Sequence, residues 1–207
     1  MRTMSAMCAL LCAISMPAAA EQWAFDASLD GKAIGQHTFT LQQNGDTRTL
    51  TSVASFNVKV LFINAYKYQH RATETWQGDC LSSLEANTKE NSDVTDVKGK
   101  LDQGIFRVQA PKGALELPAC VMTFAYWNPL MLKQQKLLNP QTGEWLNVNI
   151  SKLGKQTIDV RGTAVEADHY KLEAPKLKIE LWYSPQQEWL ALQSTTPEGY
   201  VLRYKLR

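Results

Sequence analysis

Apolar residues at every second position, broken by short turn signals, run through most of this chain. A period of two belongs to strands, whose successive side chains point to opposite faces, and not to helices. Trp23, Phe25, Ala27 and Leu29 share one side of Gln22 to Leu29, and Asp30-Gly31-Lys32 supplies a turn. His37, Phe39 and Leu41 share a face of the return strand, which ends at Asn44-Gly45, the strongest hairpin signal present. Thr47 to Val60 gathers Leu50, Ala54, Phe56, Val58 and Val60 into one long strand. Ala65 to Gln77 then sets Tyr66, Tyr68, His70, Ala72 and Trp76 opposite Lys67, Gln69, Arg71, Thr73 and Thr75. Between these two strands Leu61-Phe62-Ile63 breaks the alternation, as a corner packed in the core or the lip of a pocket. After Gly143, six more strands are separated by Gly154, Gly162, Pro175, Pro185 and Gly199. The expected fold is mainly β, a single curved antiparallel sheet in the form of a half-barrel, with sequential hairpins as its connections.

One stretch departs from this pattern, Pro118 to Pro140. Asn128 can cap a helix with its side-chain oxygen, and Pro129 suits the first helical position because its missing N–H would have no intrahelical partner. Leu130, Met131, Leu137 and Leu138 then fall on one stripe, with Lys133, Gln134, Gln135 and Lys136 mostly opposite, until Asn139-Pro140. The expectation is a short helical insertion, led in by Phe124-Ala125-Tyr126-Trp127, on which the sheet wraps.

Residues 1–20 carry the marks of an export signal: Arg2, an apolar run from Met7 to Met16, and Ala18-Ala19-Ala20 as a small-residue cleavage site. Cleavage after Ala20 would leave a single β-rich domain, 21–207, in the periplasm. Of 22 basic side chains Arg2 leaves with the signal, so 21 face 20 acidic ones, scattered rather than clustered. Such a balance offers no field for nucleic acid. Of four cysteines only Cys80 and Cys120 remain, and in an oxidising compartment two cysteines form one disulfide most simply. A reactive thiol pair would want the Cys-x-x-Cys spacing that is missing here.

Motifs that carry chemistry are few. His37, His70 and His169 lie on separate strands without metal-ligand spacing, and read as surface or half-buried residues. No Gly-x-Ser-x-Gly elbow, His-Glu-x-x-His or phosphate-cradling glycine loop is present, so neither metal nor cofactor is expected. The carboxylates Asp159, Glu166, Asp168 and Glu180 fit solvated outer faces. Aromatic content is the positive signal. Core filling accounts for most of these rings, but some can line a hollow between sheet and insertion, where apolar ligands meet aromatic walls with a few polar anchors. The candidate ligand-binding set is Phe62, Tyr66, Tyr68, His70, Arg71, Tyr126, Trp127, Asn128, Trp145, Trp182 and Tyr183. Within it the tyrosines and tryptophans join a large ring to a polar handle, while His70 and Arg71 could meet an anionic head group.

The combination Ala125-Tyr126-Trp127-Asn128-Pro129, Leu137-Leu138-Asn139-Pro140-Gln141-Thr142-Gly143 and Leu181-Trp182-Tyr183, with Asp30-Gly31-Lys32-x-Ile34-Gly35 near the start, resembles an uncharacterised family of exported bacterial proteins. That family is similar in turn to the curved half-barrels that include the periplasmic lipoprotein carriers and the outer-membrane lipoprotein receptor. The resemblance implies a sheet wrapped on a helical plug with acyl chains in the hollow, and it carries over no catalytic residue. The function expected is a periplasmic binding or carrier protein for a lipid or other hydrophobic small molecule, in transient contact with a membrane or envelope protein. An enzyme acting on a hydrophobic substrate and a structural docking module that uses a strand edge are the alternatives.

Overall fold

The computed structural model describes residues 20–60 and 63–207. All but Ala20 of the expected export segment, residues 1–20, and Leu61 and Phe62 lie outside the described residues. In chain order the strands are β1 (Ala20–Leu29), β2 (Lys32–Asn44), β3 (Thr47–Val60), β4 (Ile63–Gln77), β5 (Cys80–Glu90), β6 (Asp93–Asp102), β7 (Ile105–Ala110) and β8 (Gly113–Pro118). A short pair follows, β9 (Lys136–Leu138) and β10 (Trp145–Asn147), and then β11 (Asn149–Val160), β12 (Thr163–Ala174), β13 (Leu177–Tyr183), β14 (Trp189–Thr195) and β15 (Val201–Leu206).

Hairpin turns follow from the sequence at the expected places, with Asn44 paired to Thr47 across Gly45-Asp46 and Leu29 to Lys32 across Asp30-Gly31. They lace β1 to β8 into one meander and β11 to β15 into another. The two meanders join where β15 pairs with β1, Phe25 opposite Leu206 and Ala27 opposite Tyr204. The result is a 13-stranded antiparallel sheet in the order β11-β12-β13-β14-β15-β1-β2-β3-β4-β5-β6-β7-β8. It does not close on itself, and its edges are β11 and β8.

Those edges flank residues 119–148, so the insertion must run from one edge of the sheet to the other. It does so across the inner face. Leu81 N–H on β5 donates to the Val121 carbonyl at 3.1 Å, and the Tyr183 hydroxyl on β13 donates to the Tyr126 carbonyl at 2.8 Å. Trp127 meets Trp76 of β4 edge-on with ring centroids 5.7 Å apart. A disulfide between Cys80 at the start of β5 and Cys120 holds the near end. Trp23, Phe25, Phe39, Leu50, Phe56, Tyr68, Trp76 and Leu84 from the sheet are buried with Val121, Met131, Leu137 and Leu138 from the insertion in one core. Each large apolar side chain removed from water in this way stabilises the fold by roughly 1.5–3 kcal/mol.

The insertion starts as its sequence predicts and then departs from it. Asn128 Oδ1 accepts from Leu130 N–H at 3.1 Å, and Pro129 opens the helical segment. That segment is a five-residue 3₁₀ turn, Pro129–Lys133, and not a helix reaching Asn139. Gln134 is already extended, and Leu137 and Leu138 belong to β9, which pairs with β10. The apparent stripe joins the 3₁₀ turn, where Met131 is buried, to a strand buried on both sides; Leu137 and Leu138 are each fully buried although adjacent. The sheet therefore wraps on a mostly irregular plug in which the helical part is minor.

Two glycines explain close approaches in this arrangement. Gly143, at φ +73°, turns the chain between β9 and β10, and a Cβ there would lie 2.4 Å from that of Ala110 on β7. Gly35, at φ +151°, lies opposite Phe56 beside the bulge at Ala27/Ser28, and a Cβ there would fall 1.9 Å from the Ser55 carbonyl oxygen. Only a residue without a side chain fits either place.

Candidate functional site

Plug and sheet do not meet everywhere. They leave a cavity of about 220 Å³, with β2, β3 and β4 on one side, β13, β14 and β15 on the other, and the plug as its roof. That volume lies below the roughly 300–1,000 Å³ of drug-sized sites, so the hollow suits a slim guest or the end of a longer one. Its apolar wall includes Phe39, Leu50, Phe124, Ile179, Leu192 and Leu202.

The polar wall is set by strand register. Ala54 of β3 stands between His37 of β2 and His70 of β4, directly paired with each. Because alanine is small, the two imidazoles come within 6.4 Å, centroid to centroid. The His37 nitrogens Nδ1 and Nε2 lie 3.0 Å from the Tyr204 hydroxyl and 2.7 Å from Ser52 Oγ. One ring N–H donates to one hydroxyl, and the other nitrogen accepts from the second. His70 Nδ1 bonds Thr88 Oγ1 at 2.9 Å on the next strand. Burial, with the neighbouring His70 adding to it, drives the His37 pKa down to about 3, and burial alone takes His70 down to about 4. Both rings are neutral at physiological pH.

Glu74 is the surprising member. It lies on the inward face of β4 between Ala72 and Trp76 and is only 4% exposed. Its Oε2 accepts from Trp76 Nε1 and from Thr123 Oγ1, each at 3.1 Å. Those bonds favour the charged form, but desolvation outweighs them and lifts the carboxyl to about 7. In the plug, the indole Nε1 of Trp127 and the amide Nδ2 of Asn128 are buried donors without an acceptor among the described residues. Native proteins seldom leave such groups unpaired. The outer face of the Trp127 ring carries Arg48, whose guanidinium lies 4.9 Å from the ring centroid and is paired with Asp79 at 2.9 Å.

Of the residues expected to bind a ligand, His70, Tyr126 and Trp127 are on the cavity wall. Asn128 is buried but is not on that wall; it caps the 3₁₀ turn. Tyr183 is buried and anchors the plug through its hydroxyl, while burial pushes its phenol pKa upward. Tyr68 stacks on Phe56 at 5.2 Å and Tyr66 on Tyr68 at 6.5 Å, both inward-facing but away from the wall. Trp145 packs half-buried against the core from β10. Arg71 and Trp182 sit elsewhere. Arg71 is exposed, on the opposite face of β4 from His70. Trp182 belongs to a separate cluster with Ala167 and Leu190, on the other face of β13 from Leu181 and Tyr183. Phe62 lies outside the described residues. His37 and His70 correct the expectation of surface or half-buried histidines, since both are buried.

Reasoning from sequence passed over His37, Ser52, Glu74 and Tyr204 as site residues. The same period of two would have found Ser52 and Glu74, because each is the polar residue on an otherwise apolar parity. Among the described residues no three His, Cys, Asp or Glu side chains gather as metal ligands.

An open antiparallel sheet wrapped on its own insertion places the chain among β-barrel-like proteins. A crystal structure of a beta-barrel-like protein of domain of unknown function DUF1849 from Brucella abortus shares the fold, with a TM-score of 0.67 over 90% of this chain and 94% of that one, at 11% identity. Identity that low speaks for the fold alone. The chain belongs to the family described as domain of unknown function DUF6134, which matches residues 25–207. No curated protein matches it.

Proposed function

We propose that this is a periplasmic binding or carrier protein for a lipid or other hydrophobic small molecule. The observation that carries the reading is the cavity itself, a hollow between sheet and plug walled by Phe39, Leu50, Tyr126 and Trp127. Natural cores fill such space unless something else occupies it. The export signal at residues 1–20 and the Cys80–Cys120 disulfide support an oxidising compartment. A carrier of this kind would load and unload at a membrane or an envelope protein. Native mass spectrometry of the protein purified from the periplasm tests the reading. A retained hydrophobic ligand is expected, and repeated recovery of the bare chain together with failure to take up any fluorescent fatty-acid probe would defeat it.

One observation favours a second reading, an enzyme acting on a hydrophobic ester. Ser52, His37 and Tyr204 stand in the order nucleophile, base and orienting group on the cavity wall. Burial that holds His37 near 3 makes it a weak base, which is why binding is preferred. Ester turnover by the wild type that vanishes in Ser52→Ala, with ligand uptake retained, would reverse the preference.

A further inference from the structure

We infer that the cavity receives the uncharged, acceptor-bearing head of an amphiphile, such as an amide, ketone or ester oxygen, and disfavours anionic and cationic heads. This rests on the binding reading above and specifies the chemistry of its ligand.

The argument starts from what the wall offers. Ser52, His37, His70 and Tyr204 present neutral hydrogen-bonding groups, and Glu74 is the carboxyl among them. An anionic head entering here would meet a carboxyl and two neutral imidazoles. A buried anion needs a paired cation to offset its lost hydration. Among the described residues no lysine or arginine lines the cavity. Arg48 lies across the Trp127 ring and is already bound to Asp79, and Arg71 is on the outer face.

A cationic head could pair with Glu74, but it would leave the other half of the site unanswered. Of the polar atoms that lack partners among the described residues, the one on a lining residue, Trp127 Nε1, is a donor. A cation brings further donors and no acceptor, and Glu74 Oε2 already accepts from Trp76 and Thr123. An uncharged carbonyl oxygen supplies an acceptor beside the Trp127 indole without bringing a charge out of water. His70, with Nδ1 engaged by Thr88, keeps Nε2 for the same head. Phe39, Leu50, Ile179 and Leu192 then surround the first part of the chain.

Three amphiphiles with the same ten-carbon chain separate these cases by titration calorimetry on the delipidated protein at neutral pH: N,N-dimethyldecanamide, decanoate and decylammonium. The amide is expected to bind roughly tenfold or more tightly than either ion, a difference of about 1.4 kcal/mol. Decanoate or decylammonium binding as tightly as the amide would overturn the head-group assignment while leaving a hydrophobic binder. No heat from any of the three, with no change in tryptophan fluorescence, would overturn both. Two variants add independent arms. Trp127→Phe keeps an aromatic ring and removes the donor, and should weaken the amide several-fold in the folded protein, measured well below its melt. Glu74→Gln should raise the affinity for decanoate. An unchanged amide affinity in the first, or an unchanged decanoate affinity in the second, counts against the proposal.

Discussion

The inner wall around Glu74 and the outer cluster around Trp182 are both places where the sheet buries aromatic and polar groups together, yet they are finished differently. At the outer cluster no buried side-chain polar atom among the described residues lacks a partner. Trp182 Nε1 donates to Gln156 Oε1 at 3.0 Å, the ring lies flat on His169 with centroids 4.6 Å apart, and His169 Nε2 meets Glu180 Oε2 at 2.7 Å. At the inner wall, among the described residues, Trp127 Nε1 lacks an acceptor, as does Nδ2 of the adjacent Asn128, and the Glu74 carboxyl is buried without a cation. A satisfied cluster of this kind holds strands together. An unsatisfied one calls for an explanation, and this contrast adds to the cavity as a reason to look for function inside the sheet.

The tether of the roof is the largest lever on that contrast. Cys80–Cys120 closes a loop of 40 residues, for which chain entropy gives about 4 kcal/mol. Replacing both cysteines by alanine should lower stability by up to that amount in denaturant titration and weaken ligand uptake, because the plug would no longer be fastened to β5. Loss of stability with unchanged uptake would show that the roof is held by packing alone.

Trp182→Ala tests the other half of the comparison. The side chain is buried, so truncation should cost about 3 kcal/mol. Uptake by the folded fraction should match wild type, since Leu181 and Tyr183, on the opposite face, carry the inner packing. A large fall in affinity at temperatures well below the melt would mean that the two clusters are coupled and the contrast is misplaced.

Glu74 sharpens the comparison through pH. Its carboxyl is lifted from 4.5 to about 7, so between those values the folded protein holds a proton that the unfolded chain has released. Stability from this group is therefore full below 4.5 and falls as pH rises through about 7, by about 3 kcal/mol. His37 and His70, lowered from 6.5 to about 3 and about 4, act in the opposite sense. Their neutral forms fit the fold, so their contribution is complete above 6.5 and is lost as pH falls toward 3. The stability difference between Glu74→Gln and wild type cancels the histidines and should grow from pH 5 to pH 8. A flat difference would mean that Glu74 finds a counter-charge.

Much of the fold was legible in the sequence because its cause is local. Alternation in β1 to β4 specifies both strand and inner face, and Asn44-Gly45 and Asp30-Gly31 specify the turns. The plug was less legible. Asn128 and Pro129 state correctly where a helical turn begins, but nothing nearby says that Gln134 becomes extended, because that depends on β10 pairing with β9 some eight residues later. The site was legible only in part, for a related reason. Alternation places Glu74 and Ser52 inward, and it separates Arg71 from His70 and Trp182 from Tyr183. The approach of His37 to His70, by contrast, depends on register through Ala54, and that of His37 to Tyr204 on the pairing of the first strand with the last. Such long-range pairings are fixed by the whole sheet.

Asn128 gives the smallest effect and the finest test of the idea that the inner wall is left incomplete. Its Oδ1 caps the 3₁₀ turn through Leu130 N–H while its Nδ2 is buried without an acceptor. Serine at this position would keep an oxygen for the cap and omit the unpaired amide, whereas alanine would omit both. Loss of such a cap costs about 1 kcal/mol, and release of the buried donor offsets part of it in either variant. Asn128→Ser should therefore lie within about 0.5 kcal/mol of wild type and Asn128→Ala somewhat below it, both read from denaturant midpoints at constant m. If serine destabilises as much as a large-to-small core substitution, the amide must have an acceptor in the folded protein, and the inner wall would be as complete as the outer cluster around Trp182.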